Sequence, residues 1–457
     1  MRILLISPNQ EKFPPVFPLG ISYLASFLKD HGHKVQILDF FDENNAFDTL
    51  EKTMSDFYPD FIGFSLRNID NLVFKVQKEY YSQYKIIIDF IKDISSAPLV
   101  LGGAGFSILP DEFLKYYDVK YGIIGEGEIP FLKFIEKYSR NEDIMSINGL
   151  IINDNGQIYL KEQRYDFHFL HNIQNYMVTV KELLDTYSSD GKRMISIQSK
   201  RGCNQGCIYC TTSYLEGKCL RLRSPKLVGD ELEHLYKELN VEVIRFVDGV
   251  FNYPLEHSMG ICQEIIQRNI KIDWHALFVP LLKCLPLELL VNLQTSGCKI
   301  VDFGGTDTAS HLMLKNMNKS FTQEDIIKTT QRCKDAGLKV AHTLLLGGPG
   351  ETIDTIKESL EFMTQVNPDA LWVSFGIRIY PHTLMEKIAI EQGVIGPGES
   401  LLTPKYYISP NLKNVNWEEV IYPYAKAHPN WALTCLADTY AEWVSEITKY
   451  TSALVTV

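Results

Sequence analysis

Segments with the hydrophobic pattern of β-strands alternate with helix-like segments along the first 140 residues of this chain. The predicted strands are Arg2–Ser7, Lys34–Leu38, Phe61–Ser65, Leu99–Leu101 and Tyr121–Ile124. The predicted helices between them are Leu19–His31, Leu72–Ile94 and Pro110–Tyr117. Alternation of this kind predicts a parallel sheet with helices on both faces. We therefore expect an α/β chain that begins with a doubly wound parallel sheet over residues 1–140.

The same alternation starts again near residue 193. The predicted strands of this second run are Met194–Gln198, Val243–Val247, Lys271–Leu277, Lys299–Phe303, Lys339–Leu346 and Leu371–Arg378. Six strand–helix units predict a partial (β/α)6 barrel over residues 191–395, with functional loops at the carboxyl ends of its strands. Residues 141–190 are expected to form a linker that includes a hairpin at Asn155-Gly156. Residues 396–457 are predicted to form a small C-terminal helical cap.

The composition excludes several classes of protein. Hydrophobic residues make up 45% of the chain and charged residues 22%, which is ordinary for a folded globular protein. The formal net charge of −11 gives no overall basic footprint for nucleic acid. No apolar run approaches the roughly 18–20 residues of a membrane span, and no export signal is evident. We therefore expect a cytoplasmic protein without a nucleic-acid or membrane partner, whose cysteines are thiols or metal ligands.

Three of the nine cysteines are clustered on one predicted loop. Cys203, Cys207 and Cys210 are spaced Cys-x3-Cys-x2-Cys, directly after the first predicted barrel strand. Thiolates are the usual ligands of iron–sulfur clusters, and three of them hold three irons of a 4Fe–4S cube while the fourth iron stays open. A structural zinc site takes four ligands, and the next cysteine, Cys219, lies nine residues further on. We predict a cluster site, with a zinc site or unliganded thiols as the alternatives.

With Tyr209 directly before its third cysteine, this loop resembles the signature of the radical SAM enzymes. The resemblance covers about residues 193–395. It implies that the open iron binds the amino and carboxylate groups of S-adenosylmethionine (SAM), with Tyr209 among the cofactor-binding residues. It also implies an external electron donor, such as flavodoxin or ferredoxin, whose electron cleaves SAM to methionine and a 5′-deoxyadenosyl radical.

Further landmarks of that family follow the predicted strands, and the resemblance assigns them to SAM binding. Asp248 ends the second strand, where family members contact the methionine part of SAM. Gly347 and Gly348 match the turn after the fifth strand, which shapes the adenine pocket. Arg378 and Tyr380 match the usual ending of the sixth strand, and Tyr380 and Asp248 are the candidate catalytic residues. A helix cap is the alternative for Asp248, and a simple turn for the two glycines.

The chain departs from the family pattern after the fourth strand. Relatives often carry a glutamate-serine-glycine triplet there, whereas this chain has Gly304-Gly305-Thr306-Asp307-Thr308 before a family-like stretch at residues 313–319. Asp307 is the candidate for the role of the missing carboxylate. The candidate substrate contacts are Tyr380, Trp274, His275 and Trp431. Core packing is the alternative for each of these four side chains.

A parallel-sheet domain in front of a radical SAM barrel resembles the cobalamin-binding subclass, whose N-terminal domain is flavodoxin-like. Glycines let a backbone approach a bulky ligand closely, so the turns after the fourth and fifth strands are candidate cobalamin contacts. These candidates are Gly102, Gly103, Gly125, Glu126 and Gly127. The Asp-x-His-x-x-Gly motif that places histidine on cobalt is absent, so we expect histidine-off cobalamin. Arg67 and Asn68 are the candidates to face the cobalt, with a salt bridge or inter-domain contact as the alternative for Arg67.

These resemblances imply a cobalamin-dependent radical SAM C-methyltransferase. Such an enzyme uses two SAM molecules to methylate a carbon of a small-molecule or peptide natural product, and the cofactors carry the difficult chemistry. Ring formation or rearrangement without net methyl transfer is the first alternative. A tRNA methylthiotransferase is the second, although that class carries three more cysteines in its N-terminal domain and this chain has none before Cys203.

Overall fold

A computed structural model describes residues 1–9, 16–41, 45–163, 165, 174–189 and 192–455. The described chain contains two large sheets, one in each half. Parts of the predicted linker, at residues 164, 166–173 and 190, lie outside the described residues. None of the described helices has both the length and the apolar character that crossing a membrane requires.

The N-terminal sheet has seven strands in the order β2-β1-β3-β4-β5-β6-β7. Its strands are β1 (Arg2–Ser7), β2 (Lys34–Asp39), β3 (Phe61–Ser65), β4 (Leu99–Gly102), β5 (Tyr121–Ile123), β6 (Leu150–Asp154) and β7 (Gln157–Leu160). Its helices are α1 (Leu19–Asp30), α2 (Ala46–Phe57), α3 (Tyr81–Ile94), α4 (Ala104–Ile108), α5 (Pro110–Tyr117), α6 (Glu128–Ser139) and α7 (Gln174–Leu183). The first five strands pair in parallel, which confirms the predicted doubly wound, flavodoxin-like sheet.

Both faces of this sheet are buried. Leu4 and Ile6 of β1 pack in one core with α2, α3 and α5, whereas Ile3 and Leu5 pack in another core with α1 and α6. Successive side chains of a strand point to opposite faces, so a strand covered on both sides must be apolar throughout. This requirement explains why β1 is an uninterrupted hydrophobic run.

The predicted helix Leu72–Ile94 is wrong over its first nine residues, because α3 begins only at Tyr81. Asp70 and Asn71 accept backbone N–H bonds from Leu72 and Val73, at 2.9 and 3.3 Å. Such side-chain bonds offer the backbone an alternative to the helix. Residues 72–80 therefore form a loop.

The predicted hairpin at Asn155-Gly156 is present and belongs to the N-terminal sheet. Strands β6 and β7 pair antiparallel with each other, and β6 pairs antiparallel with β5. Asn155 has φ +51° and Gly156 has φ +91°, the left-handed conformations that a tight two-residue turn requires. The sheet thus continues past residue 140 into the segment predicted as a linker.

The second large sheet has eight strands in the order β19-β16-β15-β14-β13-β12-β9-β8 and does not close on itself. The strands of the C-terminal half are β8 (Ser188–Ser189), β9 (Lys192–Ile197), β10 (Lys200–Arg201), β11 (Arg221–Leu222), β12 (Val243–Phe246), β13 (Asp273–Leu277), β14 (Cys298–Asp307), β15 (Lys339–Leu346), β16 (Ala370–Phe375), β17 (Ile377–Arg378), β18 (Tyr406–Tyr407) and β19 (Trp431–Leu433). The six strands predicted for the barrel are neighbours in this sheet and pair in parallel. The expected partial barrel is therefore confirmed.

Helices cover this sheet. They are α8 (Thr212–Leu215), α9 (Pro225–Leu239), α10 (Leu255–Gln267), α11 (Leu287–Thr295), α12 (His311–Asn316), α13 (Gln323–Asp335), α14 (Ile353–Val366), α15 (Leu384–Glu391), α16 (Trp417–Ala427) and α17 (Tyr440–Val455). Helix α9 illustrates why they form: Ser224 caps its N-terminus, Pro225 occupies its first turn and Asn240 ends it with φ +51°. Its core-facing residues follow helical spacing and are Val228, Leu232, Leu235 and Leu239.

The C-terminal segment is more than a helical cap. Its strand β19 pairs in parallel with β16 and so adds a seventh parallel strand to the second sheet. Helix α17 packs against β19 and β16, and its Tyr450 hydroxyl reaches further in to donate to Asp302 Oδ1 of β14 at 2.8 Å. The described part of this segment, residues 396–455, therefore extends the second sheet as well as covering it.

Candidate active site

The loop that carries the three cysteines follows β9 and is held by backbone bonds. The N–H of Cys203 donates to the carbonyl of Gly217 at 3.1 Å, and the N–H of Gly202 donates to Glu216 Oε2 at 3.0 Å. Gly202 has φ +95°, and a Cβ there would lie 2.3 Å from the carbonyl oxygen of Cys219. Only glycine combines this conformation with so close a backbone approach. The path of the loop therefore depends on Gly202.

The three thiols of this loop are unpaired and lie near one another. Cys203 is buried, and Cys207 and Cys210 are half-buried. Burial, with smaller contributions from the other two thiols, raises the pKa of Cys203 to about 11. Within the described residues, no three Cys, His, Asp or Glu side chains gather as ligands of a single metal ion. A cube binds each thiolate through a different iron and does not need that convergence, so this donor set fits a 4Fe–4S cluster better than zinc.

A buried lysine that the sequence prediction missed lies against the same loop. Lys319 Nζ donates to Cys207 Sγ at 3.5 Å, to the Tyr209 hydroxyl at 3.3 Å and to the Gly305 carbonyl at 3.0 Å. It also pairs with Asp307, which accepts a hydrogen bond from the Tyr209 hydroxyl. The Lys319 side chain is only 1% exposed. Its positive charge favours the thiolate of Cys207, the form that binds metal.

The backbone of β14 explains how Asp307 reaches the cysteine loop. The pairing of β14 with β15 shifts register between Phe303 and Asp307, and Asp307 has φ +57°. An irregularity of this kind redirects the side chains that follow it. In the sequence, Lys319 was noticeable only because it ends the family-like stretch 313–319. That position did not reveal its contacts with Asp307 and Cys207.

Asp248 lies at the end of β12 and is 1% exposed. Its Oδ1 accepts the N–H groups of Ser199 and Lys200, at 2.7 and 3.2 Å, and its Oδ2 accepts the Ser199 hydroxyl. Asp248 caps no helix in this arrangement. Both carboxylate oxygens bind the residues that lead into the cysteine loop, so Asp248 ties that loop to the neighbouring strand.

The turn at Gly347 and Gly348 closes on a buried carboxylate. Glu351 Oε2 accepts the N–H groups of both glycines, with the Gly348 bond at 2.9 Å. A Cβ on Gly348 would lie 2.8 Å from Met313 Cε and 2.9 Å from Met317 Sδ, so this turn packs tightly on α12. Burial raises the pKa of Glu351 to about 7. Neither glycine lines the two cavities described next.

The first cavity has a volume of about 480 Å³ and lies where the carboxyl ends of β3, β4 and β5 face the barrel. The predicted cobalamin contacts that line it are Arg67, Gly102, Gly103, Gly125, Glu126 and Gly127. The barrel contributes, among others, Gln198, Arg201 and Glu216. Gly103 has φ +96°, and a Cβ there would lie 2.6 Å from the carbonyl of Leu66. The close approach of the Leu66 backbone at this wall therefore requires glycine at position 103.

Arg67 and Asn68 differ in their relation to this cavity. Arg67 lines it, and its buried Nε has no hydrogen-bond partner among the described residues. Burial lowers the pKa of the Arg67 guanidinium below its ordinary value. A buried donor without a partner is costly, which fits a ligand group that would accept its hydrogen bond. Asn68 is half-buried and is not among the lining residues.

Glutamates that follow β5 join the N-terminal sheet to the barrel. Arg221 donates to both oxygens of Glu126, with one bond at 2.8 Å. Arg201 approaches Glu128 at 2.8 Å and Glu126 at 3.3 Å. All four side chains are largely buried. The carboxylate of Glu126 is thus engaged by barrel arginines at the edge of the first cavity.

The second cavity has a volume of about 310 Å³ and lies at the carboxyl ends of β14, β15 and β16. The predicted residues Tyr209, Asp307, Arg378 and Tyr380 all line it. Its other walls come from residues 71–75 of the N-terminal half and from Thr434 and Cys435 of the C-terminal segment. Tyr209 and Asp307 also contact Lys319, so this cavity adjoins the cysteine loop.

Three candidate substrate contacts lie away from both cavities. Trp274 is buried and donates from Nε1 to the Ser296 carbonyl at 3.0 Å. Trp431 is buried in a core cluster beside His428. Burial lowers the pKa of His275, on β13, to about 3. The two tryptophans therefore belong to the hydrophobic core, which was the alternative to substrate contact.

Comparison with known families agrees with this arrangement. Residues 14–135 match the B12 binding domain, and residues 197–363 match the radical SAM superfamily. The first match contains the glycine turns of the first cavity, and the second contains the cysteine loop and Lys319.

Two curated proteins and one solved structure are similar over most of the chain. The uncharacterized methyltransferase PH0819 of Pyrococcus horikoshii is 25% identical over 86% of this chain and 84% of its own length. Tryptophan 2-C-methyltransferase of Streptomyces laurentii is 24% identical over 85% of this chain and 74% of its own length. The radical SAM methyltransferase TsrM of Kitasatospora setae, solved with cobalamin and a [4Fe–4S] cluster, aligns with a TM-score of 0.81 at 20% identity. That alignment covers 100% of this chain and 99% of TsrM, so the two share their fold throughout.

Proposed function

This chain belongs to the cobalamin-dependent radical SAM enzymes of the methyltransferase subclass, and we propose that it methylates a carbon atom of a small-molecule or peptide substrate. The observation that carries this proposal is the pair of cavities between the N-terminal sheet and the barrel. One cavity is walled by glycine turns, and the other adjoins three unpaired thiols. A methyl carrier and a methyl source need separate sites held close together, and one segment of the N-terminal half, residues 66–80, lines both cavities.

The residues on each cavity wall assign the cofactors. The first cavity would hold cobalamin, with Gly102, Gly103 and Gly125 against it and Arg67 at its cobalt face. The thiols would hold the 4Fe–4S cluster, and the second cavity would hold SAM and substrate. When bound, cobalamin carries a methyl group, the cluster delivers an electron and SAM is the source of both the methyl group and the radical.

Side chains of the chain itself have binding and orienting roles in this proposal. Lys319 would neutralise negative charge beside Cys207 and hold Asp307 toward the second cavity. Asp248 acts through the cysteine loop as a positioning residue, because both of its oxygens bind that loop. Burial raises the pKa of Tyr380 well above its ordinary value, so its hydroxyl stays protonated. Tyr380 would therefore orient the substrate by hydrogen bonding and would not act as a base.

The walls of the second cavity indicate which substrates to test first. Phe74, Trp372 and Phe375 give it aromatic sides. The charged side chains that line it already have partners of opposite charge: Asp307 pairs with Lys319, Arg378 with Asp70, and Lys75 with Glu418 and Asp438. Uncharged aromatic groups would be accommodated there without leaving a buried charge unpaired. Because one relative is named for tryptophan, tryptophan and an aromatic analogue without its charged groups are the first substrates to test.

Two further proposals follow from the family. The electron would come from an external protein donor of the flavodoxin or ferredoxin kind. The absence of the histidine motif predicts that bound cobalamin is base-off, without a histidine on cobalt. The absorption spectrum of the cobalamin-loaded protein tests the second proposal directly, and a histidine-ligated spectrum would contradict it.

The decisive test of function is the fate of a labelled methyl group. The reconstituted enzyme is incubated with SAM that carries a deuterated methyl group and with candidate substrates, and the products are analysed by mass spectrometry. We expect a product that is three mass units heavier than the product made from ordinary SAM, as transfer of an intact CD3 group requires. A converted substrate without label would contradict methyl transfer and would support the alternative of ring formation or rearrangement.

A further inference from the structure

One loop of the N-terminal half lines both cavities. We define the crossing loop as residues 66–80, between β3 and α3. Its Arg67 lines the first cavity, and its residues 71–75 line the second. A displacement of this loop would therefore change both walls together.

The crossing loop holds its own shape through two side chains. Asp70 Oδ1 accepts the N–H of Leu72 at 2.9 Å, and Leu72 has φ +59°, a conformation that leucine rarely adopts. Asn71 Nδ2 donates to the carbonyl of Val76 at 2.7 Å, and its Oδ1 accepts the N–H of Lys78 at 3.0 Å. Backbone strain of this kind persists only where the surroundings fix it. The conformation of the loop is therefore fixed by its own side chains.

A buried ion pair fastens this loop to the barrel, in addition to the more exposed pairs of Lys75 and the packing of Phe74 on Phe375. Asp70 Oδ2 accepts a hydrogen bond from Arg378 Nε at 2.8 Å, and the two side chains are 0% and 3% exposed. The other guanidinium nitrogens of Arg378 donate to the carbonyls of Ile379 at 2.6 Å and Leu401 at 2.7 Å. Buried ion pairs add little net stability, because desolvation offsets the attraction. We therefore assign this ion pair the role of fixing the position of the crossing loop, because a gain in net stability does not account for it.

We propose that Asp70, through Arg378, is a positioning residue that sets the two cavities at the distance methyl transfer requires. This inference rests on the proposed function, in which the groups held in the two cavities react with each other. A misplacement of about 1 Å can slow such a step by about 100-fold. Most of each cavity's wall lies outside this loop, so binding within either cavity should change less than the transfer between them.

The test compares Asp70→Asn with the wild-type enzyme. The asparagine keeps the size of the side chain and a carbonyl acceptor for Leu72 but removes the charge. We expect kcat for methyl transfer to fall by about 100-fold, while KM for SAM and the cobalamin content change by less than about tenfold. Arg378→Lys keeps the charge but loses the planar fork; because Arg378 itself lines the second cavity, this variant should lower kcat and also raise KM for SAM.

The matched control is Glu112→Gln. Glu112 of α5 accepts the hydroxyl of Ser400, an exposed contact that joins the same two parts of the molecule away from the crossing loop. We expect this variant to keep the wild-type kcat and KM. If Asp70→Asn does not fold, Asp70→Glu decides the question.

Hydrogen exchange of the cofactor-free protein gives a readout that needs neither methyl transfer nor substrate. The amides of residues 71–78 should exchange faster in Asp70→Asn than in the wild type, while those of β3 and α3 should stay unchanged. Unchanged exchange in the loop, or a wild-type kcat in the folded and loaded variant, would overturn the inference. So would loss of cobalamin or SAM binding with kcat retained. If the wild-type enzyme transfers no label, the proposed function fails and faster loop exchange still identifies Asp70 as the anchor.

Discussion

The two cavities of this molecule are built in different ways. The wall of the first includes bare backbone, because glycines of the turns after β4 and β5 stand among its lining side chains. The second is shaped by side chains, and the charges along it are neutralised in pairs such as Asp307 with Lys319 and Asp70 with Arg378. The first cavity should therefore be sensitive to added volume, and the second to lost charge.

The largest effect is expected at the cluster loop beside the second cavity. Cys207→Ala should abolish SAM cleavage, because the cluster loses one of its three thiolate ligands. Iron content and methionine formation after anaerobic reconstitution measure this effect. Cys219→Ser is the matched control, since Cys219 is exposed and only its backbone carbonyl lies near Gly202, and this variant should keep about four irons per chain. Unchanged SAM cleavage in Cys207→Ala would refute the ligand assignment.

The next largest effect concerns charge at the second cavity. Lys319→Met should lower the free energy of unfolding by about 3–5 kcal/mol, because it leaves the buried Asp307 carboxylate without its partner. Urea unfolding of the cofactor-free protein measures the change. Adding Asp307→Asn should restore part of the loss. Lys328→Met, which removes an exposed i,i+4 pair with Glu324, should have little effect. An equal loss in both lysine variants would show that the buried pair has no special role.

A larger side chain in the wall of the first cavity should weaken cobalamin binding without affecting the iron–sulfur cluster. Gly103→Ala places a methyl group 2.6 Å from the Leu66 carbonyl at a φ of +96°, which costs about 1–3 kcal/mol. The affinity for cobalamin should then fall about 10–100-fold, while the iron content stays unchanged. Gly396→Ala is the control, since a Cβ there meets only ordinary contact at 3.7 Å. Loss of iron in Gly103→Ala would contradict the separation of the two sites.

A further effect is a pH dependence at the turn after β15. Burial raises the pKa of Glu351 to about 7, above its ordinary value of 4.5, so the folded state holds this proton more tightly than the unfolded state. Its contribution to stability is full below pH 4.5 and is lost as pH rises through about 7. The stability of the wild type relative to Glu351→Gln should decline over that window, measured by urea unfolding at several pH values. A constant difference would show that Glu351 is ionised throughout.

Features that depend on local pattern were predictable from the sequence. Strands of a buried parallel sheet are continuous apolar segments, so the bounds of β1 and β15 were predicted correctly. The cysteine loop was recognisable because a cluster needs its ligands close together in the chain. The glycines at Gly102 and Gly125 were recognisable because a sheet of this kind binds ligands at the carboxyl ends of its strands.

Features that depend on tertiary contacts were not predictable. The sequence does not distinguish Lys319 from the other lysines. Only the folded chain brings Asp307 of β14 and Cys207 of the cysteine loop beside it. Residues 72–80 have helical periodicity, and only the side-chain bonds of Asp70 and Asn71 show why a loop forms there. Arg378 was expected to contact SAM, whereas its guanidinium bonds are made with Asp70 and two carbonyls.

We propose that two cofactors occupy two separate cavities, to both of which the crossing loop contributes lining residues. A crystal structure of the anaerobically reconstituted protein with cobalamin and SAM bound tests it most directly. The account predicts cobalamin against Gly103 with Arg67 at its cobalt face, and SAM in the second cavity beside a cube held by Cys203, Cys207 and Cys210. Zinc on those sulfurs, or cobalamin outside the first cavity, would contradict the account.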